Sequence, residues 1–220
     1  MGSRTTTQIA IVNSLARLSH GTTSQVSIRL LNTSAKDITA YNLSIVEHYA
    51  DQTSHYQLMM DMLDVAGDDG KGLFLAGASR DEIRPVHGGY TNLDVTIDLV
   101  AFADHTMQTT NPAAGQRLID YRKSVVSTIR ETDSIISKIS GDNTVTDSAA
   151  TAATQVQKFL DAWKAAPHYD VPGFNEGYFR QALQALRAAP HTAADVNNYL
   201  NQYVAQREQR AAVIDGHTKL

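Results

Sequence analysis

The spacing of apolar residues changes near the middle of this chain. From about Gln8 to Asp104 they recur at every second position, and from Pro112 to Ile214 at every third or fourth. Alternation by two marks a half-buried strand, and a spacing of three to four marks an amphipathic helix. The expected fold class is therefore α+β, with an N-terminal antiparallel β-sandwich over residues 5–110 and a C-terminal antiparallel helical bundle of about four helices over residues 111–220.

In the first half, strands are expected at Thr7 to Leu18, interrupted near Asn13-Ser14 by a bulge or bend, at Gln25 to Leu31 and at Ile38 to Tyr49. His55 to Leu63 reads as a strand or a short helix. Leu73-Phe74-Leu75 reads as a short buried strand. Asp81 to Val86 is a further candidate that Pro85 confines to an edge, because proline has no N–H for a second ladder. Leu93 to Ala103 alternates most clearly, with Leu93, Val95, Ile97, Leu99 and Ala101 expected on one face. Short strands separated by turns suggest an antiparallel sandwich.

Asn111-Pro112 marks the change of period: a capping side chain followed by proline at the first helical position. The first helix is expected to end at Gly141, with a stripe from Leu118 through Ile129 to Ile139 in which Thr132 is a gap. Further helices are expected over Asp147 to Ala165 and Asn175 to Ala188, and from Thr192, whose partner Asp195 resembles a capping box. The junction before Pro112 is short, so the first helix is expected to pack on the sandwich.

Composition narrows the chemistry. The 220 residues are 42% hydrophobic, enough for a sizeable core. Cysteine is absent, which excludes disulfides, thiolate zinc sites and cysteine nucleophiles. Residues 1–111 carry 7 Lys+Arg against 12 Asp+Glu, and residues 112–220 carry 12 against 11. Neither half offers the basic field that nucleic acid requires, so no nucleic-acid partner is expected. No apolar run approaches the roughly 20 residues of a membrane helix, so no transmembrane segment is expected. No leader is visible, although Met1-Gly2-Ser3 has the look of a cloning remnant that would replace one.

Three stretches carry a resemblance: Val26 to Ser34, Ile38-Thr39-Ala40-Tyr41 and Val95 to Asp104. They are similar to an immunoglobulin-like β-sandwich domain of uncharacterised exported bacterial proteins, over roughly residues 7–110. In those domains a late strand ends in Phe-x-Asp-Gly-Thr; here Phe102-Ala103-Asp104-His105-Thr106 puts His105 at the glycine position, and an altered turn is expected. The resemblance implies an immunoglobulin-like sandwich and a periplasmic or secreted location. It implies no activity, since such sandwiches host unrelated roles.

Glu47-His48 and His55 flank a turn that holds Asp51. If the two strands pair, His48, Asp51 and His55 form a candidate metal site, with Glu47 as an alternative ligand; the competing reading is polar residues at strand ends. Trp163, His168, Tyr169, Phe174 and Tyr178 form a candidate ligand-binding cluster around the Pro167–Gly177 loop, against the alternative of core packing at a helix corner. Asp61, Asp64, Asp68 and Asp69 make an acidic loop without EF-hand spacing. Gly77-Ala78-Ser79-Arg80-Asp81 lacks the second glycine of a nucleophile elbow and reads as a turn. Asn32-Thr33-Ser34 and Asn42-Leu43-Ser44 match the glycosylation pattern by accident. No catalytic residue is assigned and no cofactor is expected.

The expected function is a non-enzymatic binding or scaffolding role in the bacterial envelope or exterior, with a protein or peptide partner and a sheet edge open to β-augmentation. The alternative is a metal-dependent hydrolase using sandwich-end His and Asp residues.

Overall fold

The computed structural model describes residues 9–17, 23–65, 72–87, 90–142, 144–165, 172–190 and 193–219. In chain order the elements are β1 (Ile9–Arg17), β2 (Thr23–Asn32), β3 (Ile38–His48), β4 (Thr53–Asp61), α1 (Met62–Val65), β5 (Ser79–His87), β6 (Asn92–Phe102), β7 (Met107–Thr109), α2 (Pro112–Ser140), α3 (Ser148–Ala165), α4 (Pro172–Arg187) and α5 (Ala193–Gly216). The chain divides into two compact units, the first ending at Leu118 inside α2 and the second comprising Ile119–Lys219. The expected boundary at 110/111 lies earlier, because the first turns of α2 pack with the strands.

The described strands form two antiparallel sheets, β1-β2-β5 and β4-β3-β6-β7. Both contribute to one cluster: Ile9, Val26, Ile28 and Leu30 from the first, Tyr41, Leu43, Ile45, Val100 and Phe102 from the second. Alternation accounts for this, since every second residue of each strand turns inward. A polar link crosses the same interior. The Tyr41 hydroxyl donates to Glu82 on β5, which also accepts from Arg80 Nε at 2.9 Å. Tyr41 is fully buried and Glu82 is 4% exposed.

The first strand slips register between Ile11 and Asn13, close to the expected interruption. β5 lies at a sheet edge, as Pro85 requires. Three expectations are corrected. Leu73-Phe74-Leu75 makes no strand: Phe74 forms one isolated bridge with Ile38 and packs edge-on to Tyr41, while Leu75 is exposed. The residues before Pro112 include β7, which is too short to announce itself by alternation. On β6, the expected single face is split. Leu43 pairs with Ile97 and Asn42 with Leu99, so Asp98 is an extra, bulged residue. Leu93, Val95 and Ile97 therefore turn to the sandwich core, while Leu99 and Ala101 turn to the opposite face. There they meet Ala40, Ala114 and Leu118, the last two from the start of α2.

The turn after β6 keeps its shape despite the histidine. His105 adopts φ 64°, the left-handed conformation glycine favours, and its N–H donates to Phe102 O at 3.2 Å. Thr106 Oγ1 donates to Asp104 Oδ1 at 2.6 Å, and Lys36 Nζ lies 2.5 Å from Asp104 Oδ2. Lys36, then Thr106, holds the Asp104 carboxyl down at about 2.

α2 starts where the cap predicts: Ala114 N donates to Asn111 Oδ1 at 3.3 Å. Asp147 caps α3 through Ala150 N at 2.9 Å. In the second unit, Ile136, Val156, Leu160, Phe179, Leu183 and Leu200 belong to one cluster shared by the four helices. Thr192, expected to start the last helix, lies outside the described residues.

Candidate functional site

Among the described strands, β1, β5, β4 and β7 end the two sheets. An edge strand offers unpaired N–H and C=O groups to any passing chain, and native sheets blunt such edges with bulges, charges, proline or shortness. β1 carries the register slip. β5 holds Arg80, Asp81, Glu82, Arg84 and Pro85. β7 has three residues.

β4 has none of these devices. Its nine residues, TSHYQLMMD, contain no Lys, Arg, Pro or Gly, and the one acid is Asp61 at its end. Its register against β3 is unbroken from His48↔Thr53 to Ala40↔Asp61. Tyr56, Leu58 and Met60 form its inner row, packed against the sandwich core but only partly buried. His55, Gln57 and Met59 form the opposite row. Arg117 of α2 donates to Gln57 Oε1 on that side.

The expected metal residues lie near this edge but are not gathered into one site. The register sets Val46 opposite His55 and His48 opposite Thr53, so both histidines share the outer face of the sheet. Each ring nitrogen then finds a separate partner. His48 Nε2 lies 2.7 Å from Asp94 Oδ2 on β6, and His55 Nε2 shares a 2.6 Å hydrogen bond with Ser44 Oγ. Asp51 stays in the exposed β3–β4 turn. Among the described residues no group of three His, Asp or Glu side chains is placed to hold a metal ion. Glu47, the alternative ligand, is fully buried on the inner face and accepts from Tyr49 Oη at 2.5 Å. That bond leads in pushing the Tyr49 phenol up to about 12.

Of the aromatic cluster, the described side chains are Trp163 and Tyr178. His168, Tyr169 and the Phe174 side chain lie outside the described residues. Trp163 packs on Phe179 at 5.9 Å between ring centroids, and Phe179 on Phe159 at 5.5 Å, inside the helical core. Tyr178 is buried beneath the Arg210 guanidinium, 5.7 Å away. Trp163 and Tyr178 thus both contribute to packing in the helical unit. Outside that core, a groove of about 670 Å³ runs along α2 over Val126, Ile135 and Phe159, with Lys123, Arg130 and Glu131 on its rim.

Of the acidic loop, Asp61 caps α1 through Leu63 N at 3.1 Å, and Asp68 and Asp69 lie outside the described residues. Both glycosylation-like asparagines are buried. Asn32 Nδ2 donates to Lys36 O and Phe74 O, each at 2.9 Å, and holds the β2–β3 turn. Asn42 is 1% exposed, and neither atom of its amide has a hydrogen-bond partner. Of Gly77-Ala78-Ser79-Arg80-Asp81, expected to be a turn, Gly77 turns the chain at φ 73°, but Ser79, Arg80 and Asp81 already belong to β5.

One cluster escapes sequence reasoning. Arg207 on α5 donates from Nη1 to Tyr203 Oη at 2.8 Å and from Nη2 to Thr132 Oγ1 at 2.6 Å. Its Nε lies 2.7 Å from Asp133 Oδ1, in ion-pair contact but without the alignment of a full hydrogen bond. Thr132, the gap in the α2 stripe, is thus part of a buried polar layer. Desolvation raises the Asp133 carboxyl to about 7; Arg207 opposes that rise and Glu208 adds to it. The sequence signal is a threonine and an acid interrupting the stripe, but the partner stands on another helix.

No protein-family model and no curated protein matches the chain. One solved structure is similar, a hypothetical protein from Peptoclostridium difficile 630. It is 10% identical, with a TM-score of 0.35, over 49% of this chain and 89% of that one.

Proposed function

We propose that this protein is a non-enzymatic binding or scaffolding module of the bacterial envelope or exterior, and that its N-terminal unit is an immunoglobulin-like sandwich which captures an extended segment on β4. The strand orders β1-β2-β5 and β4-β3-β6-β7, with β4 joined to the sheet of β3 and β6, support the immunoglobulin-like reading. The placement in the envelope or exterior rests on the family resemblance of the sandwich segments.

The observation that carries the binding reading is the contrast among edges. Three are blunted; β4 is long, regular and almost uncharged, with a half-covered apolar row at its margin. Main-chain hydrogen bonds would supply affinity there, and the alternating side chains would supply selectivity. A partner strand is expected to alternate, apolar toward Tyr56, Leu58 and Met60 and polar on the other side.

Peptide display against the immobilised full chain tests this. Selection of alternating extended peptides that slow hydrogen exchange of β4 amides supports the reading. Selected peptides that protect only helical amides, or no selection at all, would overturn it.

A further inference from the structure

We infer that the helical unit binds a small apolar zwitterion, an aliphatic α-amino acid or dipeptide, in the cavity lined by the start of α3, the end of α4 and the first turn of α5. This cavity has a volume of about 730 Å³ and belongs wholly to the second unit. Its wall holds polar groups that the folded chain leaves unused. Ser148 is 8% exposed, yet its hydroxyl has no hydrogen-bond partner among the described residues. The Asn197 Oδ1 atom is buried without a partner. Arg187, the last residue of α4, has no ion-pair partner among the described residues. Buried polar groups are nearly always satisfied, so unmet ones gathered around one cavity call for a ligand that meets them.

The signs of the charges select the class of ligand. Asp142 and Asp147 also line the cavity. Each commits one oxygen to the backbone: Asp142 Oδ1 accepts from Thr144 N at 2.9 Å, and Asp147 Oδ1 from Ala150 N at 2.9 Å. The second oxygen of each accepts no donor among the described residues. A plain anion would meet these two carboxylates, and a plain cation would meet Arg187. A ligand with both signs can set its carboxylate on Arg187 and the Ser148 hydroxyl, and its ammonium on the two acids and Asn197 Oδ1. The rest of the wall is aliphatic, with Ala149, Leu186 and Val196 all buried, so the body of the ligand should be aliphatic as well. A cavity of this volume is in the range of small-molecule sites, which pair an apolar lining with a few polar groups that fix orientation.

Isothermal titration calorimetry of the full chain with leucyl-leucine tests this, and a dissociation constant of about a millimolar or below is expected. N-acetyl-leucyl-leucine lacks the ammonium, leucyl-leucinamide lacks the carboxylate, and glycylglycine lacks the side chains. Each is expected to bind roughly tenfold more weakly or worse. Arg187→Gln, at an exposed position, should bind leucyl-leucine no better than its amide. Ser148→Ala should weaken binding several-fold and leave the thermal midpoint of the free protein unchanged, because the hydroxyl has no partner to lose. No measurable binding, equal affinity for either blocked dipeptide or for glycylglycine, or an Arg187→Gln variant that still prefers the carboxylate overturns the inference. So does a lower midpoint for Ser148→Ala, which would show the hydroxyl to be satisfied within the protein.

Discussion

The Nε atom of Arg207 on α5 stands 2.7 Å from Oδ1 of Asp133 on α2, with both side chains less than a tenth exposed. Burying two charges is costly, and their attraction offsets that cost only in part. Thr132 and Tyr203 engage the remaining guanidinium nitrogens, yet Asp133 receives no aligned donor. The layer is tuned toward the cation.

Stability should therefore depend on pH through Asp133. Its carboxyl stands at about 7 in the folded chain against 3.8 as the reference. Between those values the folded state holds a proton that the unfolded state has released. Stability contributed by the protonated form is complete below about pH 4 and is lost as pH rises through about 7. The change should be on the order of 2–4 kcal/mol. Urea unfolding followed by the fluorescence of Trp163, the only tryptophan, measures it from pH 5 to 8. In Asp133→Asn this component of the slope should vanish; an unchanged slope would assign it to other groups.

Removing the cation is a separate matter. Arg207→Met at pH 8 leaves a buried carboxylate without its counter-charge and should cost about 3–5 kcal/mol. At pH 5, where Asp133 is protonated, the loss should shrink. Combining Arg207→Met with Asp133→Leu should restore most of the stability, and a double variant no better than the single one would contradict the ion-pair account.

Asn42 presents the opposite situation, a buried amide with no partner on the sheet face that also carries Leu99. An unsatisfied buried amide costs roughly 1–3 kcal/mol. Asn42→Leu, which keeps the branched shape without the polar atoms, should raise the unfolding free energy by about 1–2 kcal/mol. Thermal melts of the two proteins decide the matter: a lower midpoint for the variant would mean that the amide is satisfied.

In the β6–β7 turn, His105→Gly should stabilise the fold by roughly 0.5–1 kcal/mol. A non-glycine residue at φ 64° carries about 1–2 kcal/mol of strain, partly offset by the greater freedom of glycine when unfolded. A chemical denaturation midpoint that falls instead of rising would show that the imidazole holds the turn.

Tyr41→Phe leaves the buried Glu82 short of one donor while Arg80 remains. The expected loss is about 1–3 kcal/mol. Because this hydroxyl joins the two sheets, hydrogen exchange should accelerate in both β3 and β5. Faster exchange in β3 alone would indicate a local packing effect.

What the chain reveals by inspection is what short-range chemistry fixes. Asn111-Pro112 opens α2 because a cap and a fixed φ act within a few residues. Pro85 placed β5 at an edge by removing one donor. What escaped depends on distant partners. Asp98 fits an alternating strand as well as any residue, and only its register against Asn42 and Leu43 shows it to be extra. Thr132 looked like a gap because Arg207, which fills the layer, stands 75 positions away. His48 and His55 do share a face, as the turn between them implied. Their partners Asp94 and Ser44 come from strand neighbours that sequence spacing does not name. The contrast among edges needed the strand order, since nothing local says which strand lies outermost.

The surplus residue in β6 has a further consequence. Were Asp98 paired instead of extra, strict alternation would send Leu99 and Ala101 inward and turn Val100 and Phe102 out. The landing ground beneath Ala114 and Leu118 would vanish, and the sandwich would lose two of its fillings. A single unpaired position thus resets the phase in which one strand nourishes two interiors, and deleting it should spare both, since Ile97 and Leu99 would still oppose Leu43 and Asn42 in turn.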